Sequence, residues 1–211
     1  YLSTWTAQAM GRQDLKLVCC HLGGSGSLCA VKNGVSIDTT MGMSLQCGVL
    51  QNNRIGDIDP YVIFYLAESC GMSLPEIKEM LQTKSGLYGL SGGVSNDLRD
   101  IQTAAEAGDQ NCRNAVNAYA YGIKKYIGAY AAALGGLDAV VFGGGIGRNS
   151  ASVRAMALDG LAFLGIQLDR EKNIHPESGT DISVDGSPVR IYVVDTNEEI
   201  IVARKARALL E

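Results

Sequence analysis

The chain reads as an α/β protein, one mixed sheet with helices packed on it, in a single domain of 211 residues. Three observations carry that reading. β-rich apolar runs come first, helical periodicities follow, and two strand-to-helix units close the chain, an order that builds a layered sheet. Hydrophobic residues make up 46% of the sequence, ample for a buried core. No internal repeat, low-complexity tract or linker divides it.

Taken in order, residues 2–10 form the end of a helix, and 16–20 form an apolar strand running straight into His21. Residues 27–31 and 35–39 are β-rich and flank Asn33-Gly34, a dipeptide that fits a type I′ turn, so a hairpin follows from local chemistry. A polar, glycine-bearing loop spans 40–59. Pro60 sits where a helix can begin, and the apolar run 61–70 continues it. Ser73, with Pro75 and Glu76 behind it, marks an N-cap that opens a helix to Gln82. Asp97 starts another, carrying Leu98 and Ile101 and ended by Gly108. The spacing of Val116, Tyr119, Ile123, Tyr126, Ile127 and Tyr130 predicts a long helix over 111–134, stopped by Gly135 and Gly136. Strand 137–142, a GGGIG turn and a helix over 149–164 come next. Strand 189–194 then leads through Asp195, Thr196 and Asn197 into a terminal helix over 198–210.

A formal net charge of −4, with no Lys/Arg run or basic stripe, argues against a nucleic-acid partner. No apolar run reaches the roughly 18 residues needed to cross a bilayer, and the first residues lack the basic leader and apolar core of a signal peptide. The expectation is a cytoplasmic protein with no membrane partner. Six cysteines include no CxxC pair, and only two histidines could complete a zinc site, so the thiols read as small buried hydrophobes in a reducing compartment. Cys47 stays open as a functional thiol, because it lies in the loop beside the best catalytic candidate.

The main functional signal is three glycine and serine clusters, each behind an apolar run: HLGGSGS at 21–27, SGGVSNDLRD at 91–100 and VVFGGGIGRN at 140–149. Glycine lets a backbone approach an anion closely, and a helix starting after a glycine turn aims unpaired N–H groups and a positive dipole end at phosphate. Three such turns in one domain point to a nucleotide held from several sides. Arg54 is the strongest candidate for chemistry, a lone cation in a glycine-bearing loop whose guanidinium fork suits a phosphoryl group. The same spacing also allows an ion pair with Asp57 or Asp59. His21 reads either as a hydrogen-bonded structural residue at a strand end or as an acid or base. For Asp97 the alternatives are an N-cap or a ligand contact, and for 144–149 tight strand-to-helix packing or a nucleotide turn. Glu198 and Glu199 fit as dipole partners in a first helical turn after Asn197.

Together these segments resemble the acetokinase family, specifically its C-terminal domain, in the actin/Hsp70/sugar-kinase superfamily with its ribonuclease-H-like (actin-like ATPase) fold. The matching motifs run in order through the chain: HLG at 21–23, NG-S-DTTMG at 33–42, RxGDIDP at 54–60, NDLRD at 96–100, GGIGxNS at 144–150 and TNEE at 196–199. The resemblance implies a homodimeric, ATP-dependent kinase of a short-chain carboxylate, reversibly forming an acyl phosphate by direct in-line transfer. It places His21, Leu22, Gly23, Gly24 and Ser25 at the nucleotide phosphates. Asp97, Leu98 and Arg99 fall at the adenosine, with Gly144, Gly145, Ile146, Gly147, Arg148 and Asn149 in the nucleotide turn. Arg54 corresponds to the transition-state arginine. Glu198 is implied as a water-mediated ligand of Mg²⁺, for which Mn²⁺ can substitute.

By the same resemblance, residues 1–211 are the C-terminal nucleotide-binding domain. An N-terminal domain carrying a second catalytic histidine is expected upstream of Tyr1. Two other readings stand beside this one: a nucleotide-binding half without turnover of its own, and a sugar- or glycerol-type kinase of the same superfamily. The chain also departs from the family pattern. HLGNG becomes HLGGS, trading an amide side chain for Gly24 and a glycine for Ser25, and TPLEG…GTRSGD becomes SLQCGVLQNNRIGD. GGIGEN carries Arg148 in the glutamate's place, reversing a charge near the expected nucleotide.

Overall fold

The computed structural model describes residues 1–197 and 199–210. Strand alternation sets which way each face of its sheet packs. In β1 (Lys16–Leu22), which follows helix α1 (Leu2–Met10), Leu17 and Cys19 meet Leu2 and Ala7 of α1, while Val18, Cys20 and Leu22 enter the larger core on the other face. β1 pairs antiparallel with β2 (Gly26–Lys32), and β2 with β3 (Val35–Thr39). Asn33 and Gly34 join these last two with φ of 53° and 77°, the positive values both central positions of a type I′ turn require.

Helices fill the middle of the chain: α2 (Tyr61–Glu68), α3 (Leu74–Thr83), α4 (Gly86–Leu90), α5 (Leu98–Glu106) and the long α6 (Gln110–Leu134). α6 buries Val116, Tyr119, Ile123, Ile127 and Tyr130 in the larger core, the stripe its spacing predicts. Next come β4 (Ala139–Gly143), α7 (Gly144–Asn149), α8 (Ala151–Leu158), α9 (Arg170–Ile174), β5 (Thr180–Asp181), β6 (Arg190–Val193) and α10 (Glu199–Leu210). The sheet order is β3-β2-β1-β4-β6-β5, with β1, β4 and β6 mutually parallel. This is the mixed sheet with packed helices that the sequence predicts. His21 pairs with Gly143 on β4, so the first and third glycine clusters leave the sheet side by side at the carboxyl ends of parallel strands, where α/β sheets bind ligands.

Several expectations are corrected. The glycines at 144–149 are not a turn ahead of a helix over 149–164; they are themselves helical, as α7. Ser150 then breaks the axis, its hydroxyl accepting from the Val153 N–H to cap α8, which ends at Leu158. Gly144 starts α7 at φ 75°, where a Cβ would come within 2.5 Å of the Leu22 carbonyl oxygen. The predicted helix over 61–70 is present as α2, yet none of its apolar residues is buried. α4, α9 and β5 are additional elements. Cys19, Cys20 and Cys112 are buried as expected, whereas Cys47 and Cys70 are exposed thiols. Among the described residues no helix is long and apolar enough to cross a membrane.

Candidate active site

A cleft of about 390 Å³ gathers the three glycine-bearing segments. Gly23 and Gly24 after β1, Asp97, Leu98 and Arg99 at the start of α5, and Gly145, Ile146 and Asn149 of α7 all line it, joined by Asn52, Gln102 and Ser150. Asp97 is the N-cap of α5, accepting from the Arg99 N–H at 2.9 Å, and it also pairs with the Arg99 guanidinium at 2.6 Å. Arg99 therefore holds the Asp97 carboxyl down at about 2, first through its side chain and then through its backbone N–H. The capping reading of Asp97 holds, and its side chain also borders the cleft. A Cβ on Gly145 would meet nothing within 4 Å, which leaves its backbone open to a ligand.

Arg54 stands beside this cleft on the 40–59 loop. Its Nη1 donates to Ser25 Oγ at 2.8 Å and to Gln51 Oε1 at 2.9 Å, and among the described residues it forms no ion pair with Asp57 or Asp59. Those carboxylates have other work. Asp57 accepts from the Gly48 N–H at 2.8 Å and from the Tyr126 hydroxyl of α6, and Asp59 accepts from the Tyr61 N–H at 2.9 Å. The loop is also bonded to the segment ahead of and within α4. Ser85, Leu87 and Tyr88 N–H groups donate to the carbonyls of Asn53, Gln51 and Asn52 at 3.1, 2.9 and 2.8 Å. Arg54 is therefore held by its surroundings and aimed at the first glycine turn.

The remaining candidates lie around the cleft. His21 is half-buried and lines an adjoining depression with Tyr1, Leu2, Ser3, Cys19 and Thr196. Thr196 also borders a small opening with Gly144, Gly145, Arg148, Asn149 and Asp195, which shares Gly145 and Asn149 with the main cleft. Leu22 is fully buried in the core, and Gly147 packs against Phe142 and Cys20. Arg148 turns to Asp195, Nε to Oδ1 at 2.9 Å, so its charge is balanced on the segment after β6. Glu198 lies outside the described residues. Among those described, no group of three or more His, Cys, Asp or Glu side chains gathers into a metal site.

Behind α7 sits Arg154, with no exposed surface. Its guanidinium donates to the Gly147 and Arg148 carbonyls at 2.8 and 2.9 Å and to Asn173 Oδ1 and O at 2.8 and 2.7 Å. It satisfies the last carbonyls of α7 and ties that helix to α9. Burial lowers its pKa to about 10, so it stays charged at neutral pH. A wider groove of about 850 Å³ between α6, α8 and α9 holds none of the residues that the sequence marks as chemical, so size alone does not locate the site.

The sequence profile of the acetokinase family matches residues 1–204. The chain belongs to that family. An acetate kinase from Heliobacterium modesticaldum is 43% identical over 213 residues, covering 100% of this chain and 53% of that protein. The crystal structure of Porphyromonas gingivalis acetate kinase superposes with a TM-score of 0.95 at 36% identity, over 100% of this chain and 53% of that one. A propionate kinase from Francisella tularensis gives 0.89, also at 36% identity, over 96% of this chain and 52% of that one. The fold is therefore shared with these carboxylate kinases, as a six-stranded mixed sheet with packed helices. The chain spans about half the length of the curated relatives it matches.

Within the acetokinase pattern, the departures at Gly24, Ser25 and 51–53 face one another in space. Ser25 and Gln51 both hold Arg54, and Asn52 lies against Gly24. Reading the sequence left Gln51, Asn52, Gln102 and Ser150 out of the site. The Gln-Asn-Asn run just ahead of Arg54 was the available signal for two of them. Gln102 lies one helical turn beyond Leu98, on the face of α5 that meets the cleft.

Proposed function

We propose that this chain is the nucleotide-binding half of an ATP-dependent carboxylate kinase, C-terminal to the domain that completes the active site. The observation that carries the proposal is the convergence of Gly23, Gly24, Asp97, Leu98, Arg99, Gly145, Ile146 and Asn149 on one cleft. Backbone N–H groups at the glycine turns would receive the phosphates. The α5 start would receive the adenosine, with the Asp97 carboxylate facing ribose hydroxyls and Arg99 available for stacking. A short carboxylate attacks the γ-phosphoryl in line, and Arg54 stabilises the charge that spreads over the equatorial oxygens. His21 binds the nucleotide phosphates by donating a hydrogen bond from the adjoining depression.

Mg²⁺, replaceable by Mn²⁺, belongs to the proposal as the nucleotide's counter-ion. It would be held mostly by phosphates and water, with Glu198, outside the described residues, as the expected carboxylate. The family membership supports acetate as acceptor, giving acetyl phosphate. A homodimer and a cytoplasmic setting complete the reading. The exposed Tyr61, Phe64 and Tyr65 of α2 support an association surface in this domain.

The test is a hydroxamate assay of the whole enzyme with acetate, propionate and butyrate, using glycerol as control. Acyl hydroxamate from a short carboxylate, with no ATP consumed on glycerol, is the expected result. ATP consumption on glycerol alone would replace this reading with the sugar- or glycerol-kinase one.

A further inference from the structure

Asn52 is a cleft residue with incomplete bonding. Its Oδ1 is shut away from solvent and has no partner among the described residues. Its backbone is fixed from two sides, the N–H donating to the Gly24 carbonyl at 3.3 Å and the carbonyl accepting from Tyr88 at 2.8 Å. A Cβ on Gly24 would lie 3.3 Å from Asn52 Nδ2 and 3.9 Å from its Cγ, so the carboxamide fills the space a side chain at 24 would take. Gly24 is outside the left-handed region, so its backbone does not demand glycine. A side chain there would instead make the Asn52 amide give way by a few tenths of an ångström.

We propose that Asn52 is a ligand-binding residue that supplies, from the facing loop, the side chain missing at position 24, and that it donates through Nδ2 to the phosphate chain of the nucleotide. This rests on the nucleotide reading of the cleft. The position in the cleft selects the phosphates over the base. Asn52 sits over the first glycine turn, two residues before Arg54, which is itself bonded to Ser25 of that turn. The adenosine end, at Asp97 to Arg99, lies on a different element. With Oδ1 enclosed by protein, Nδ2 is the end left to the ligand, and a neutral donor there suits an anion without adding charge beside Arg54. The pattern HLGNG carries its amide where this chain has Gly24, so the group has moved across the cleft rather than vanished.

The test is calorimetric titration of Mg-ADP into the chain and three variants, each checked for cooperative thermal unfolding. Asn52→Gly should weaken binding about tenfold or more, the range of a lost hydrogen bond to a charged group. Asn52→Asp keeps the shape but faces carboxylate to phosphate, and should weaken it further. Gly24→Asn combined with Asn52→Gly should recover most of the affinity. Unchanged affinity in Asn52→Gly or Asn52→Asp, or a double variant no better than Asn52→Gly alone, would overturn the inference and leave the nucleotide reading standing. Failure of the unaltered chain to bind Mg-ADP would overturn both.

Discussion

Arg54 Nη1 donates to Ser25 Oγ at 2.8 Å, so the loop cation is fastened to the first glycine turn and not to the two aspartates that follow it in sequence. A guanidinium already oriented loses little freedom when a phosphoryl group arrives, and transition-state stabilisation depends on that preorganisation. Replacing Arg54 by Ala in the whole enzyme should lower kcat on the order of 10³-fold, with nucleotide affinity little changed. Lysine should rescue only part, because a point charge lacks the planar fork that binds a phosphoryl group bidentately. Steady-state kinetics of the two variants decide it, and near wild-type turnover in Arg54→Ala would remove Arg54 from the chemistry.

Arg154 should matter to stability more than its distance from the cleft suggests. Arg154→Met is close in length, yet it orphans the Gly147 and Arg148 carbonyls and Asn173. The expected loss is on the order of 3 kcal/mol in urea unfolding. Lysine should recover less than half of it, since one ammonium cannot span four acceptor contacts. A loss under about 0.5 kcal/mol would mean that α7 is held by other contacts.

Acid sensitivity should follow Asp97. Its folded pKa, about 2, lies below the ordinary 3.8, so its stabilising contribution is complete above 3.8 and is lost as pH falls through 2. Asn at this position cannot titrate. The Asp97→Asn variant should be less stable at neutral pH, and the two stability curves should converge as pH drops through that window. Parallel curves from neutral pH down to pH 2 would show that the Arg99 contact contributes nothing.

The chain alone should fold and yet give no acetyl phosphate. Each sheet face carries a hydrophobic core of its own, but on the proposed reading the facing wall of the site belongs to another domain, so solvent screens the field of Arg54. Hydroxamate formation by the pure chain at a rate near that of an intact acetate kinase would show the active site to be misplaced. If the proposed partner domain completes the site, adding it as a separately expressed protein is expected to restore turnover.

Local chemistry made much of the fold legible. Asn33-Gly34 announced the hairpin, and the spacing from Val116 to Tyr130 announced α6. α4 was not legible, because GLYGL carries two glycines and its form depends on N–H groups donating to carbonyls of the distant 51–53 loop. The run Gly144–Asn149 reads as a turn by propensity and is helical because Arg154 and the close approach to Leu22 fix it. At the site, Gly23 and Gly145 stand out because they follow the ends of neighbouring strands, and Asp97 because an N-cap residue is legible from local sequence. Asn52 reaches the cleft, and Gln51 holds Arg54, only through the folding of a loop with no period of its own. Arg148 was expected beside the nucleotide, and its ion pair with Asp195, 47 residues away, could not be read from spacing.

The convergence of three glycine-bearing segments on one nucleotide is tested most directly by titrating Mg-ADP into the chain and into Gly145→Val. Gly145 has open space at its Cβ and no left-handed backbone, so valine should be tolerated by the fold while its branched side chain occupies the cleft. Saturable binding by the unaltered chain, abolished in a variant with an unchanged unfolding midpoint, is the predicted result. Equal affinity in the two folded proteins would contradict the account.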